Sequence, residues 1–147
     1  MKKIKLLSTA LLCGSLLVGC SNDTEQGIAT GSLSLGITDA PIDQATAVWV
    51  EFTGIELKPK DRQSIEIDFS TVKTINLLDL QGSNFALLLD QYSVAAGEYN
   101  WMRLKVNAEQ GVYDSFIEFD GGAQHSLYVP SGSESGLKLN RAFTVSQ

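Results

Sequence analysis

Residues capable of chemistry are few in this sequence, and they do not gather into a constellation. One histidine, His125, stands between Gln124 and Ser126. An imidazole can move a proton near neutral pH, but a lone one in an alternating segment reads first as a strand-end polar residue. No G-x-S-x-G elbow raises a serine nucleophile, and no glycine loop cradles a phosphate. Neither a His pair nor a Cys pair offers zinc its ligands. Asp39 and Asp43, four residues apart, carry oxygens that suit calcium, yet the loop of an EF-hand does not surround them. Asp39 precedes Ala40-Pro41, where its carboxylate can accept bonds from turn amides, a structural role. The expectation is a protein that is not an enzyme, with no catalytic residue, no metal and no cofactor.

Two surface features are suited to binding. Trp101 and Arg103 alternate with Met102 and Leu104, which puts an indole and a guanidinium on the polar side of one strand. An exposed indole stacks on sugar rings, so both are candidate ligand-binding residues, with Trp49 in a similar setting. Lys58, Lys60 and Arg62 crowd three positive charges into one five-residue turn. That turn is a candidate anion patch for acidic glycan or lipid phosphate, and equally a solvated hairpin that resists edge pairing. A third feature is structural. Asp79 interrupts Leu77-Leu78-Asp79-Leu80, and a charge embedded in an apolar run needs a partner or water. A bidentate Asp79–Arg103 clamp answers that need; each facing water from its own strand answers it too.

The positioning elements begin with a segment that is not part of the fold. In residues 1–19, Lys2, Lys3 and Lys5 precede an apolar run from Leu6 to Val18 that is short for a membrane span. It ends in Leu17-Val18-Gly19-Cys20, which resembles the lipobox of bacterial lipoproteins. The resemblance implies a diacylglycerol thioether on the Cys20 sulfur, cleavage before Cys20, and acylation of the new amino terminus by a chain such as palmitate. Ser21 in the next position resembles lipoproteins passed on to the outer membrane. The expected location is therefore the cell envelope, with a lipid anchor in the outer membrane. Residues 20–30 read as a lipidated, polar, flexible tether.

Removing residues 1–19 takes three of the eleven basic residues and none of the seventeen acids, leaving a net charge of −9. So acidic a chain is poorly suited to nucleic acid, or to an electrostatic grip on anionic lipid. With Cys13 gone and Cys20 lipidated, no disulfide can form within the domain, so its stability must come from packing.

From residue 31 to 147 the pattern is a single β domain. Leu33, Leu35 and Ile37 alternate with Ser34, Gly36 and Thr38. Val48, Val50 and Phe52 share one face of a second strand. The apolar parity then shifts to Ile55 and Leu57, which predicts a bulge at Thr53-Gly54. Ser64 to Phe69 and Lys73 to Leu80 read as extended, and Gln81 to Gln91 as the one short helix, with Phe85, Leu88 and Leu89 inward. Tyr99 opens the strand that runs to Val106, and Gly97-Glu98-Tyr99 resembles a tyrosine corner. Asp120-Gly121-Gly122 marks a hairpin between Val112–Phe119 and Ala123–Val129. Ser131 to Gly136 reads as a loop, and Leu137, Leu139 and Phe143 begin a last strand.

Seven or eight such strands predict an all-β fold, an immunoglobulin-like or prealbumin-like antiparallel β-sandwich with at most one short helix. LSLGITDAPID, INLLDLQGSNFALLL, AAGEYNWMRLKV and LYVPSG…SGLKL, in that order, resemble the bacterial and archaeal family called domain of unknown function 4382. The resemblance spans residues 31–147 and implies a secreted or lipid-anchored β-sandwich; it supplies no activity. Typical members continue with further strand beyond the Phe143 region, so a short or truncated version is expected. The function expected from all this is an envelope lipoprotein carrying a non-catalytic binding module, with carbohydrate as ligand. The alternative is a structural or protein-interaction lipoprotein that offers an envelope protein an unpaired sheet edge.

Overall fold

The computed structural model describes residues 27–38, 44–130 and 136–147. Nine strands are found there: β1 (Thr30–Ile37), β2 (Ala45–Pro59), β3 (Ile65–Asn76), β4 (Ala86–Ala95), β5 (Gly97–Asn107), β6 (Phe116–Phe119), β7 (Gln124–Ser126), β8 (Leu137–Leu139) and β9 (Phe143–Val145). Every pairing is antiparallel, and the fold is an all-β sandwich. β1 and β4 form a two-stranded sheet, and the other seven strands form the second.

β2 is the spine of the larger sheet. One of its edges pairs with β6 over Ala45–Trp49 and then with β5 over Glu51–Pro59, while β3 takes the opposite edge. Alternation puts Val48, Val50 and Phe52 inside, and the register slips between Phe52 and Gly54 against both neighbours. This is the bulge expected from the sequence, and it turns Ile55 and Leu57 inward to complete burial. A side chain on Gly54 would meet the Ile67 carbonyl oxygen at 2.6 Å, so only glycine fits there without a backbone shift. Leu88, Leu89 and Val94 of β4 close the core from the other sheet, with Leu33 and Leu35 of β1 packed against them. Lys73 of β3 ties the sheets together, its Nζ donating to the Leu87 and Leu88 carbonyls of β4 at 3.0 Å each.

The expected helix over Gln81–Gln91 is not formed. The chain makes a single 3-10 turn at Leu77–Leu80, where Asn76 Oδ1 accepts from Leu78 N, and then enters β4. That turn also cuts short the strand expected to reach Leu80. A lone helix of this length is marginal, whereas the extended segment satisfies the backbone of β1 as well as its own. Register shifts in the β1–β4 pair bring the consecutive Leu88 and Leu89 both inside, and Phe85 is 61% exposed rather than inward.

The end of the chain departs in a second way. The one last strand is two, β8 and β9, both on β5. Phe143 of β9 stacks on the buried Tyr99 ring, centroids 5.0 Å apart. The hairpin between β6 and β7 is as expected, with Gly121 and Gly122 both at positive φ and Gly122 N donating to Phe119 O. Its strands are shorter than the alternation suggested.

Candidate functional site

The outward face of the larger sheet holds the chemistry-bearing side chains in rows. Across β3, β2, β5 and β8, Glu66, Glu56, Arg103 and Lys138 stand in register. One row along, Lys105 and Asp68 flank Gly54; on the other side of the first row, Lys58 faces Trp101. Cross-strand neighbours share a face, so these residues form one surface.

Trp101 lies half-buried beside two positive charges. Lys138 Nζ sits 4.3 Å from the ring centroid and the Arg103 guanidinium 5.1 Å, both within cation–π range. The indole and Arg103 do share one side of β5. Trp49 occupies the outward face at the opposite end of β2, about 30 Å from Lys58 along the strand, and does not join them.

Arg103 does not pair with Asp79. Its Nη1 lies 2.6 Å from Glu56 Oε2, with 22% and 14% of the two side chains exposed. Asp79 sits in the 3-10 turn, exposed, where its carbonyl accepts from Asn84 Nδ2. The expected bidentate clamp is not formed: Arg103 bonds Glu56 through Nη1 alone, its Nε being buried without a partner among the described residues. The β2–β5 register sets Glu56 directly opposite Arg103, while the turn carrying Asp79 is off that ladder. Glu56 is the residue sequence reasoning missed. Its signal was present: the bulge that sends Ile55 and Leu57 inward must send Glu56 outward.

Lys105 reaches over Gly54 to Asp68 Oδ1 at 2.7 Å and Glu66 Oε2 at 2.8 Å. These bonds, Asp68's foremost, raise the Lys105 pKa above its ordinary value.

The basic turn is largely satisfied internally. Lys58 Nζ donates to the Arg62 carbonyl at 2.7 Å, and Lys60 Nζ to Glu98 Oε2 at 2.6 Å. The Lys60–Glu98 bond raises the lysine pKa and lowers that of the carboxyl. Arg62 forms no ion pair among the described residues and lines a cleft of about 300 Å³ between this turn and Ala95–Tyr99. Below it the tyrosine corner is closed, with Tyr99 Oη donating to the Ala95 carbonyl at 2.7 Å. Burial raises the phenol pKa, tempered by the nearby Arg62 charge.

A family model described as Domain of unknown function (DUF4382) matches residues 30–147. The chain belongs to this family. Comparison of the DUF4382 chain with curated proteins and with solved structures returned no match. Cys20 and Asp39 of the DUF4382 protein, and most of the Ser131–Gly136 loop, lie outside the described residues. Among the described residues no three His, Cys, Asp or Glu side chains gather as metal ligands, and no helix is long and apolar enough to cross a membrane. His125 of the DUF4382 domain meets Phe119 edge-on at 5.6 Å, a packing contact on the β6–β7 hairpin.

Proposed function

We propose that this chain is an envelope lipoprotein, anchored through Cys20 in the outer membrane, whose DUF4382 domain is a non-catalytic module that binds carbohydrate. The observation that carries the reading is Trp101. Its indole lies half-buried on the outward face of a rigid sheet, with hydrogen-bonding side chains on β2 and β8 beside it. Flat aromatic surfaces of this kind receive the C–H face of a pyranose, while flanking polar groups reach its hydroxyls. Lys60 and Arg62 follow in the adjoining turn, where Lys60 is paired with Glu98 and Arg62 lines the cleft beside Ala95–Tyr99. A glycan array probed with the wild type and with Trp101→Ala tests the proposal. Binding lost in the variant supports it, and an array without signal for the wild type refutes it.

A second reading has its own observation. β8 is a short edge strand whose Leu137 and Leu139 are 43% and 46% exposed. An edge with uncovered apolar residues is suited to receiving a strand from an envelope protein, which is the structural or protein-interaction role. Co-purification of one stoichiometric envelope protein, lost when Leu139 is changed to Lys, is the outcome that favours it.

A further inference from the structure

The charges around Trp101 narrow the class of sugar, if the carbohydrate reading of that face is granted. The outward face carries four cations near the indole: Lys58, Arg103, Lys105 and Lys138. Glu56 engages Arg103, and Asp68 and Glu66 engage Lys105. Lys58 and Lys138 have no carboxylate partner among the described residues. Lys58 donates to a backbone carbonyl, and Lys138 rests on the indole itself.

These two lysines stand on opposite sides of Trp101. Lys58 is its register partner on β2, and Lys138 lies on β8, the strand beyond β5. In a chain of net charge −6, positive charge without a carboxylate partner is set against the overall field and lies beside the indole of Trp101. A neutral hexose gives two ammonium groups nothing to neutralise. A hexuronate stacked on the indole through its C–H face extends a carboxylate past the ring edge, towards the ammonium on either flank.

We propose that the Trp101 face binds acidic glycans, the recognised unit being a carboxylated pyranose held between Lys58 and Lys138. Lys138 then has two positions. Without ligand its ammonium covers the indole; with ligand it moves to the carboxylate and leaves the ring free for the sugar. A charge-assisted bond of this kind at a surface gives about tenfold in affinity per lysine and weakens as salt is added.

The test uses the full chain in detergent, titrated by tryptophan fluorescence and calorimetry with tetragalacturonate and with the same tetramer fully methyl-esterified. A glycan array of acidic and neutral oligosaccharides is run in parallel. Supporting results are preference for uronate-bearing glycans, salt-sensitive binding, and a loss of about tenfold in Lys58→Gln and in Lys138→Gln, with Lys138→Arg restoring most of it. The thermal midpoints of these exposed variants serve as the folding control. Equal binding of neutral glycans, unchanged in both Gln variants but lost in Trp101→Ala, overturns the acidic-ligand inference and leaves the binding module standing. Absence of binding to every glycan on the array overturns both.

Discussion

Lys105 and Asp68 meet across a strand that lies between them. The lysine belongs to β5 and the carboxylate to β3, yet Nζ and Oδ1 are 2.7 Å apart because Gly54 of the intervening β2 carries no side chain. The bulge therefore serves both faces of the sheet. Inward it resets the apolar parity, and outward it opens a channel for a salt link.

Gly54→Val is expected to destabilise the domain by on the order of 1–3 kcal/mol, since its Cβ would lie 2.6 Å from Ile67 O and 3.1 Å from Asp68 Cα. Lys105→Met is expected to cost about 1 kcal/mol or less, because both acids it touches are well exposed. Urea unfolding of the two variants separates backbone crowding from loss of charge. Equal effects would show that the strand has room at residue 54.

Glu56 and Arg103 are coupled. Each single change, Glu56→Ala or Arg103→Ala, strands a mostly buried charge and is expected to cost about 1–3 kcal/mol, with the double variant well short of the sum. Asp79→Ala is expected to stay within about 0.5 kcal/mol of wild type, as an exposed turn residue. A double-mutant cycle from chemical unfolding checks both statements, and additivity between Glu56 and Arg103 contradicts the pairing.

Alkaline pH should loosen the tyrosine corner. The folded-state pKa of Tyr99 is raised by burial, so the folded state holds its proton after the unfolded chain has released it. That contribution is whole below the unfolded pKa, about 10, and is lost as pH rises through the folded value. Lys105, also raised, acts in the same direction. Thermal midpoints should fall above about pH 10, with a shallower fall in Tyr99→Phe. At neutral pH that variant should cost about 1 kcal/mol for the lost bond to Ala95 O. Parallel slopes for variant and wild type would remove Tyr99 from the account.

Lipid attachment at Cys20 is the outcome expected from the Leu17-Val18-Gly19-Cys20 sequence. An alkyne fatty acid fed to cells should label the wild type and leave Cys20→Ala unlabelled. Label in both places the acyl chain elsewhere.

Alternation in β1, β2 and β5 was legible because each strand has one wet and one dry face, and the bulge was legible as a break in that rhythm. The β4 segment was misread for a physical reason. Phe85, Leu88 and Leu89 have helical spacing, and the irregular register against β1 buries two adjacent leucines, a pattern that an unbroken strand does not produce. The Glu56–Arg103 pair spans 47 residues, and no local pattern carries a cross-strand register over that distance. Asp79 looked embedded only because the turn that exposes it is built from leucines. At the Trp101 face, the indole and guanidinium were readable from one strand, whereas Lys138 enters through the β5–β8 pairing.

The length of β2 constrains the time course of folding. Its first partner in sequence, β3, follows closely, but β5 and β6 lie far downstream, so a chain delivered amino end first must present one long apolar edge before its other half exists. Loop closure over such separations slows assembly and prolongs exposure of an aggregation-prone strand. Translocation across a membrane would impose that order of delivery. On that order of delivery the β2–β3 hairpin would form with the other edge of β2 still unpaired, and that edge would stay open until β5 and β6 arrive.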